Sequence, residues 1–259
     1  MQHFRSGEAS LRVALIGSAL VLGLSFVAGT YLASEAFYRV KALSNVIAVT
    51  GSAEKIVDSD TAKWTSSFSR RSGVDPQSLK VTHADLKHDL ETIQAYLRGK
   101  GIKDEAVSVQ PESLLQVTEC QPSGSSGGCT NQLVGYDLRQ SILVESQDVA
   151  LVTKLALEAP AAMSDQGILF ESQPPEYYVS NLANLKLEML TEGTKNAKSR
   201  AEKIVESTGG FLGALQSAGM GVFQVTSVNS TEISDYGAYD TSSPRKKVTS
   251  IVRASFLLK

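Results

Sequence analysis

Residues 62–101 read AKWTSSFSRRSGVDPQSLKVTHADLKHDLETIQAYLRGKG, and the spacing of their apolar residues changes midway. Ala62, Trp64, Ser66 and Phe68 alternate with polar neighbours, the pattern of a strand with one buried face. Asp75-Pro76 then opens a helix, with Asp at the N-cap and Pro at the first helical position. The stripe Leu79, His83, Leu86, Leu90, Ile93, Leu97 keeps helical spacing, and Gly99 and Gly101 close it. A one-sided strand followed by a one-sided helix predicts a helical layer packed on a sheet.

The same reading extends in both directions. Upstream, Asn45–Val57 is rich in β-branched residues and ends at the turn Asp58-Ser59-Asp60. Downstream come a strand over Val107–Val117, bent at Pro111, and a strand over Leu133–Val144. The spacing then predicts a short helix over Asp148–Leu157, stopped by Ala159-Pro160, and a strand at Ile168–Phe170. The longest helix covers Tyr177–Ser207 and ends at Gly209-Gly210. Its stripe Leu182, Leu185, Met189, Gly193, Ala197, Ala201, Ile204 shrinks to Gly and Ala in the second half, which suits close approach to a sheet or another helix. Strands over Val222–Val228 and Val248–Leu258 flank a polar segment, Ser230–Lys247, too long for a tight turn. The order β-β-α-β-β-α-β-α-β-β predicts an α+β fold with mixed or antiparallel sheets, not a doubly wound parallel one.

Ahead of this domain, Val13–Ser34 carries no charged residue. As a helix at ~1.5 Å per residue it spans roughly 33 Å, enough for a bilayer core. A secretory h-region is shorter, about 7–15 residues, and no clean A-x-A site follows. The expected organisation is a cytoplasmic tail (1–12), a transmembrane signal-anchor (13–34), a linker (35–44) and an exported domain (45–258). A cleaved signal and a buried soluble helix are the alternatives. Gly17, Gly23 and Gly29 read as glycines tolerated in a lipid helix, with a close helix–helix face as the alternative. Arg5, Arg12, Arg39 and Lys41 against Glu8 and Glu35 give residues 1–41 a charge of +2; the chain totals −2, so the remainder carries −4. That domain is a poor polyanion binder, and no nucleic-acid partner is expected. The basic run Arg245-Lys246-Lys247 reads as a solvated strand entry.

Glu119–Asn131, ECQPSGSSGGCTN, holds both cysteines of the chain, Cys120 and Cys129. In an exported domain such a pair closes a disulfide across a hairpin tip, worth on the order of 2.5–3 kcal/mol by loop entropy. Free thiols and a metal site are the other readings. Gly124–Gly128 formally fits G-x-S-x-G, but a nucleophile elbow needs a helix after it.

Little else suggests chemistry. Of three histidines, His3 is in the tail, while His83 and His88 point about 140° apart on one helix, wrong for a two-histidine metal face. His83 sits on the apolar stripe and is expected to be partly buried. Asp58 and Asp60, and Glu232, Asp235 and Asp240, lack the offsets of an EF-hand and read as turn acids. No catalytic, cofactor-binding or metal-ligating residue is assigned, and no cofactor is expected. Tyr236 and Tyr239, among Gly and Ser, are candidate oligomer or partner contacts, or tyrosines bonded within their own domain.

Several stretches resemble the SIMPL-domain family: Val46-Ile47-Ala48-Val49-Thr50-Gly51, then Gly135-Tyr136 leading into Ser141-Ile142-Leu143-Val144, and Ala197–Ile204 closing on Gly209-Gly210. The resemblance covers roughly 45–258. It implies an extracytoplasmic α+β domain, ring-like or cage-like homo-oligomers, and a loose link to envelope and oxidative stress. It brings no catalytic residues. The expectation is a non-enzymatic, single-pass protein of the bacterial inner membrane. Its C-terminal domain would lie in the periplasm or extracytoplasmic space, with itself and the lipid bilayer (through 13–34) as partners. The alternatives are an exported hydrolase-like enzyme, with Asp85, His88 and a distant serine converging, and a ligand- or partner-binding module.

Overall fold

The computed structural model describes residues 5–42, 45–123, 128–231, 234 and 236–259. The chain is α+β, and its described strand pairs form antiparallel ladders apart from one isolated parallel bridge. It divides into two compact units. Unit 1 holds residues 1–52, 192–221 and 251–259; unit 2 holds 53–191 and 222–250.

Helix α1 (Arg5–Ala42) contains an exposed apolar stretch, Ile16–Tyr38, long enough to cross a membrane by length and composition. Its polar side chains bond inward: the Ser25 hydroxyl donates to Val21 O (2.8 Å) and the Thr30 hydroxyl to Phe26 O (2.9 Å). Hydrocarbon offers such groups no water, and here the helix's own carbonyls serve as partners. The helix continues through residues 35–42, read as linker, because nothing between Glu35 and Ala42 stops it. The glycine face does not form. A six-residue spacing turns about 240°, so Gly17, Gly23 and Gly29 point to three different sides.

Unit 2 is built on the pair β2 (Thr61–Ser72) and β5 (Gly128–Ser146). Beyond β5 lie β3 (Val107–Val109) and β4 (Ser113–Ser123); beyond β2 lie β6 (Leu169–Ser172) and β7 (Glu176–Tyr178). Pairing Trp64 with Val144 and Phe68 with Gln140 places Ala62, Trp64, Phe68, Leu138, Ile142 and Val144 on one face, all buried. Helices α2 (Pro76–Gly99) and α3 (Val149–Ser164) cover that face with Leu86, Ile93, Leu97, Val152, Leu155 and Met163. The α2 cap forms as expected, Asp75 accepting from Ser78 N at 2.8 Å.

Four local differences from the sequence reading have physical causes. The buried stripe of α2 runs Thr82, Leu86, Asp89, Ile93, Leu97, so His83 is turned outward, where its Nδ1 meets Glu112 Oε2 at 2.7 Å. Asp89 is buried because Arg70, on the inner face of β2, grips it with two hydrogen bonds of 2.6 and 2.8 Å. Helix α3 runs through Pro160 to Ser164. A proline there leaves the carbonyl four residues earlier without its helical donor; the Ser172 hydroxyl supplies one to Ala156 O (2.8 Å) and itself accepts from Trp64 Nε1 (2.9 Å). Finally, Glu176–Tyr178 is not the start of the last helix but a strand paired with Thr61–Lys63. Pro174-Pro175 hold the chain extended, and helix α4 (Leu182–Ser207) begins later.

The second sheet has the order β1 (Val46–Asp58), β9 (Arg245–Leu258), β8 (Leu212–Ser227). In unit 1, Ala197 and Ala201 of α4 pack on Ala254, Phe256, Ile47 and Val49. Gly51 of β1 lies so close to α4 that a Cβ there would overlap the Gly193 carbonyl oxygen and the Ala197 backbone nitrogen. The Gly/Ala half of the helix stripe thus meets its strands at close backbone range. In unit 2, Leu185 and Met189 pack with Val225, Val248, Ala53 and Phe223.

Candidate functional site

The residues proposed as contacts lie in the long connection between β8 and β9, which is stitched to unit 2. Gln224 Nε2 donates to Ser234 O (2.8 Å), Val225 N to Ala238 O (2.8 Å), and Asp240 N to Val225 O (2.8 Å). Tyr177 N donates to Thr241 O and Ser59 N to Pro244 O, both 2.8 Å. Such bonds give polar backbone its partners without regular structure.

At the centre is Lys246, fully buried, which corrects the reading of Arg245-Lys246-Lys247 as a solvated entry. Strand period explains the burial. Lys246 shares the inner face of β9 with Val248, Ser250, Val252, Ala254 and Phe256. Its Nζ donates to Asp240 O and to Ser243 O (2.8 Å), with Asp240 Oδ2 at 3.9 Å and the Tyr239 ring centroid at 5.9 Å. Lys247 Nζ donates to Ser230 O at 3.0 Å, so two residues of the basic run pin the loop, while Arg245 stays exposed as a solvated entry. Burial lowers the Lys246 pKa, against the opposing pull of the Asp240 carboxylate. Burial would raise Asp240. Hydrogen bonds from Ser242 and Ser243 and the Lys246 charge prevail and hold it at about 2. The signal for this node was available: stepping back by two from Val248 lands on Lys246.

The two tyrosines separate. Tyr239 faces its own unit. Its hydroxyl accepts from Val179 N (3.2 Å) and its ring stacks on Tyr178, centroids 6.1 Å apart. Tyr178 donates to Glu176 Oε2 (2.7 Å), which, with burial, pushes its pKa up to about 12. Tyr236 is 100% exposed. A polar cleft of about 430 Å³ lies beside Tyr239, lined by Thr226, Ser227, Ser230, Asp240 and Ser242. Glu232 and Asp235, read as turn acids, lie outside the described residues.

Cys120 and Cys129 are joined, their Cα atoms 5.4 Å apart. Both stand within strands, not in a free loop: Cys120 pairs with Asn131 and Cys129 with Pro122. The bond ties a two-stranded arm that passes the end of β2, whose last partner on β5 is Tyr136. Residues 124–127 of the G-x-S-x-G match lie outside the described residues, and the segment leads into a strand, not a helix.

The hydrolase constellation is not assembled among the described residues. Asp85 and His88 are both exposed on α2, and the His88 ring makes no hydrogen bond there. Asp58 is exposed, and Asp60 is spent on structure, accepting from Ser180 N (2.9 Å) and Ser180 Oγ (2.8 Å) just before α4. Burial would raise the Asp60 pKa, but these bonds outweigh it and lower it.

No curated protein matches the chain. The sequence model of SIMPL, described as a protein of unknown function (DUF541), matches residues 47–256, from the first residues of β1 almost to the end of β9. With that match covering most of its length, the chain belongs to the SIMPL family.

Proposed function

We propose that this is a non-enzymatic envelope protein, held in the bacterial inner membrane by α1, whose extracytoplasmic SIMPL domain self-associates. The carrying observation is the closed Cys120–Cys129 bond. Disulfides persist in oxidising compartments and are rare in the cytosol. The exposed apolar stretch Ile16–Tyr38 supports the anchor, and the family resemblance supports assembly and a role in envelope stress. On this reading the domain is a scaffold, and its buried polar groups hold loops instead of substrates. The test is topology plus mass. A C-terminal tag on the full chain should be protease-accessible in spheroplasts, and the detergent-solubilised chain should exceed monomer mass by light scattering. A tag protected until the membrane is broken, or a monomer at tens of micromolar, overturns the corresponding half.

A partner-binding reading is favoured by one observation, the full exposure of Tyr236. Tyrosine offers large contact area at small entropic cost. Tyr236→Ala should then lower partner or self-association without moving the melting temperature. Tyr239→Ala should lower the melting temperature, because it removes the stack on Tyr178 and the bond to Val179. Unchanged association with Tyr236→Ala discards this contact.

A further inference from the structure

We infer that Phe211 enters the surface of the bilayer that holds α1, so that one end of unit 1 rests on lipid; this goes beyond the self-association proposed above and rests on α1 being the membrane anchor. The apolar stretch ends at Tyr38 and α1 continues to Ala42. That continuation adds about 6 Å of helix. Strand β1 begins at Val46, so its start lies within about 14 Å of the end of α1 even if the chain between them is fully extended. The start of β1 is therefore leashed to within about 20 Å of the apolar stretch.

Phe211 stands at the same end of the sheet. Leu258 N donates to Asn45 O and Lys259 N to Phe211 O, both at 2.9 Å. The start of β1, the end of β9 and the residue before β8 thus lie side by side within unit 1. Across neighbouring strands, Phe211 is about 10 Å from Asn45. Its backbone is held from both sides. Before it, α4 closes in a Schellman turn: Gly209 has φ 76°, and Gly209 N donates to Glu206 O and Gly210 N to Val205 O, both at 3.1 Å. After it, Leu212 packs inward against the cluster of Ala197, Ala201, Ala254 and Phe256. By strand period its neighbour turns outward, and Phe211 is 74% exposed.

The leash selects the occupant. Covalent geometry keeps the bilayer within reach of this end in every copy of the chain, whatever else is present. A phenyl ring held in water on a fixed backbone gains by entering the boundary between headgroups and acyl chains, and it loses little conformational freedom in doing so. Two further exposed apolar side chains share this end: Val46, the first residue of β1, and Ile204, in the last turn of α4. On α1, Tyr38 is the aromatic residue at the limit of the apolar stretch, the place where tyrosine marks the membrane–water interface. Phe211 would add a second interfacial aromatic, supplied by the folded domain instead of the anchor.

The experiment uses the full chain in phosphatidylcholine proteoliposomes. The only native tryptophan, Trp64, is fully buried, so its emission can be subtracted using the wild type. Phe211→Trp reports on the proposed contact. Met220→Trp is the control, exposed in the same unit but about 30 Å farther along β8. Both sites are exposed, so both variants should keep the wild-type melting temperature. Bromine on the acyl chains quenches indole only at close range. Replacing the lipid by its brominated form should therefore cut the added emission of Phe211→Trp at least threefold more than that of Met220→Trp. Equal quenching overturns the contact, and a blue-shifted but unquenched Phe211→Trp shows that protein, not lipid, covers the residue and overturns it too. A wild-type chain stripped from the vesicles by alkaline carbonate overturns the anchor and the contact together, whereas one that stays but shows either of the first two results overturns the contact alone.

Discussion

The interior of the six-stranded sheet and the seam between α4 and β1 both lay a helix on a sheet, by opposite means. In the first, Trp64, Phe68, Leu86, Ile93 and Leu155 fill the gap with volume, and Trp64 adds a bond to Ser172 that helps α3 pass through Pro160. In the second, Gly51, Gly193, Ala197 and Ala201 let the backbones approach until a single added carbon would overlap. Packing density is high in both. The first is harmed mainly by removing atoms and the second by adding them.

The largest test of that contrast is Trp64→Ala. It empties a fully buried site and leaves Ser172 without its indole donor, so it should cost about 3–5 kcal/mol, read as a fall in the urea midpoint of the full chain. Next is Gly51→Ala. One methyl group should cost about 2–3 kcal/mol, measured the same way. A neutral Gly51→Ala would show that the seam can spread and would remove the contrast.

Smaller effects come from regions that depend on neither volume nor its absence. The Lys246 node depends on charge. The Asp240 pKa, about 2, lies below its ordinary 3.8, so its stabilisation is full above about pH 4 and lost as pH falls through 2. Asp60, also lowered, works in the same direction. The lowered Lys246 has the same sign at the alkaline end. Its buried charge costs stability at neutral pH, and the cost is relieved as pH rises toward 10.5. Asp240→Asn should flatten part of the fall in stability between pH 4 and pH 2, measured as urea midpoints across that range; an unchanged acid limb contradicts the assignment. Smallest is the arm. Replacing both Cys120 and Cys129 by Ser should lower the melting temperature by less than the loop entropy of the bond implies, because the arm projects past β2 and can open locally without unfolding the unit, while proteolysis between residues 113 and 134 rises. A large drop in melting temperature would make the arm part of the core.

Much of this architecture can be read from local pattern. The two-residue period of Ala62–Phe68, the Asp75-Pro76 cap and the Gly/Ala thinning of α4 each act over a few residues, and each appears where expected. The misreadings share one character. His83 and Thr82 are one position apart on a helix, and only the placement of α2 on the sheet decides which is buried. Residues 212–221 of β8 show no alternation because both faces are exposed over 214–221, so the spacing predicts the strand only from Val222. Pro160 stops a helix in isolation, but Ser172 is a tertiary partner.

By itself, then, the sequence determined the α+β class, the apolar span near the start, the helix-to-sheet seam and the pairing of the only two cysteines, because periodicity, capping and length act locally along the chain. The tertiary structure alone decided that Lys246 is buried, and that Tyr239 turns inward while Tyr236 faces solvent. Those outcomes depend on which groups from distant segments arrive within hydrogen-bonding distance, and burial is a property of what surrounds a residue.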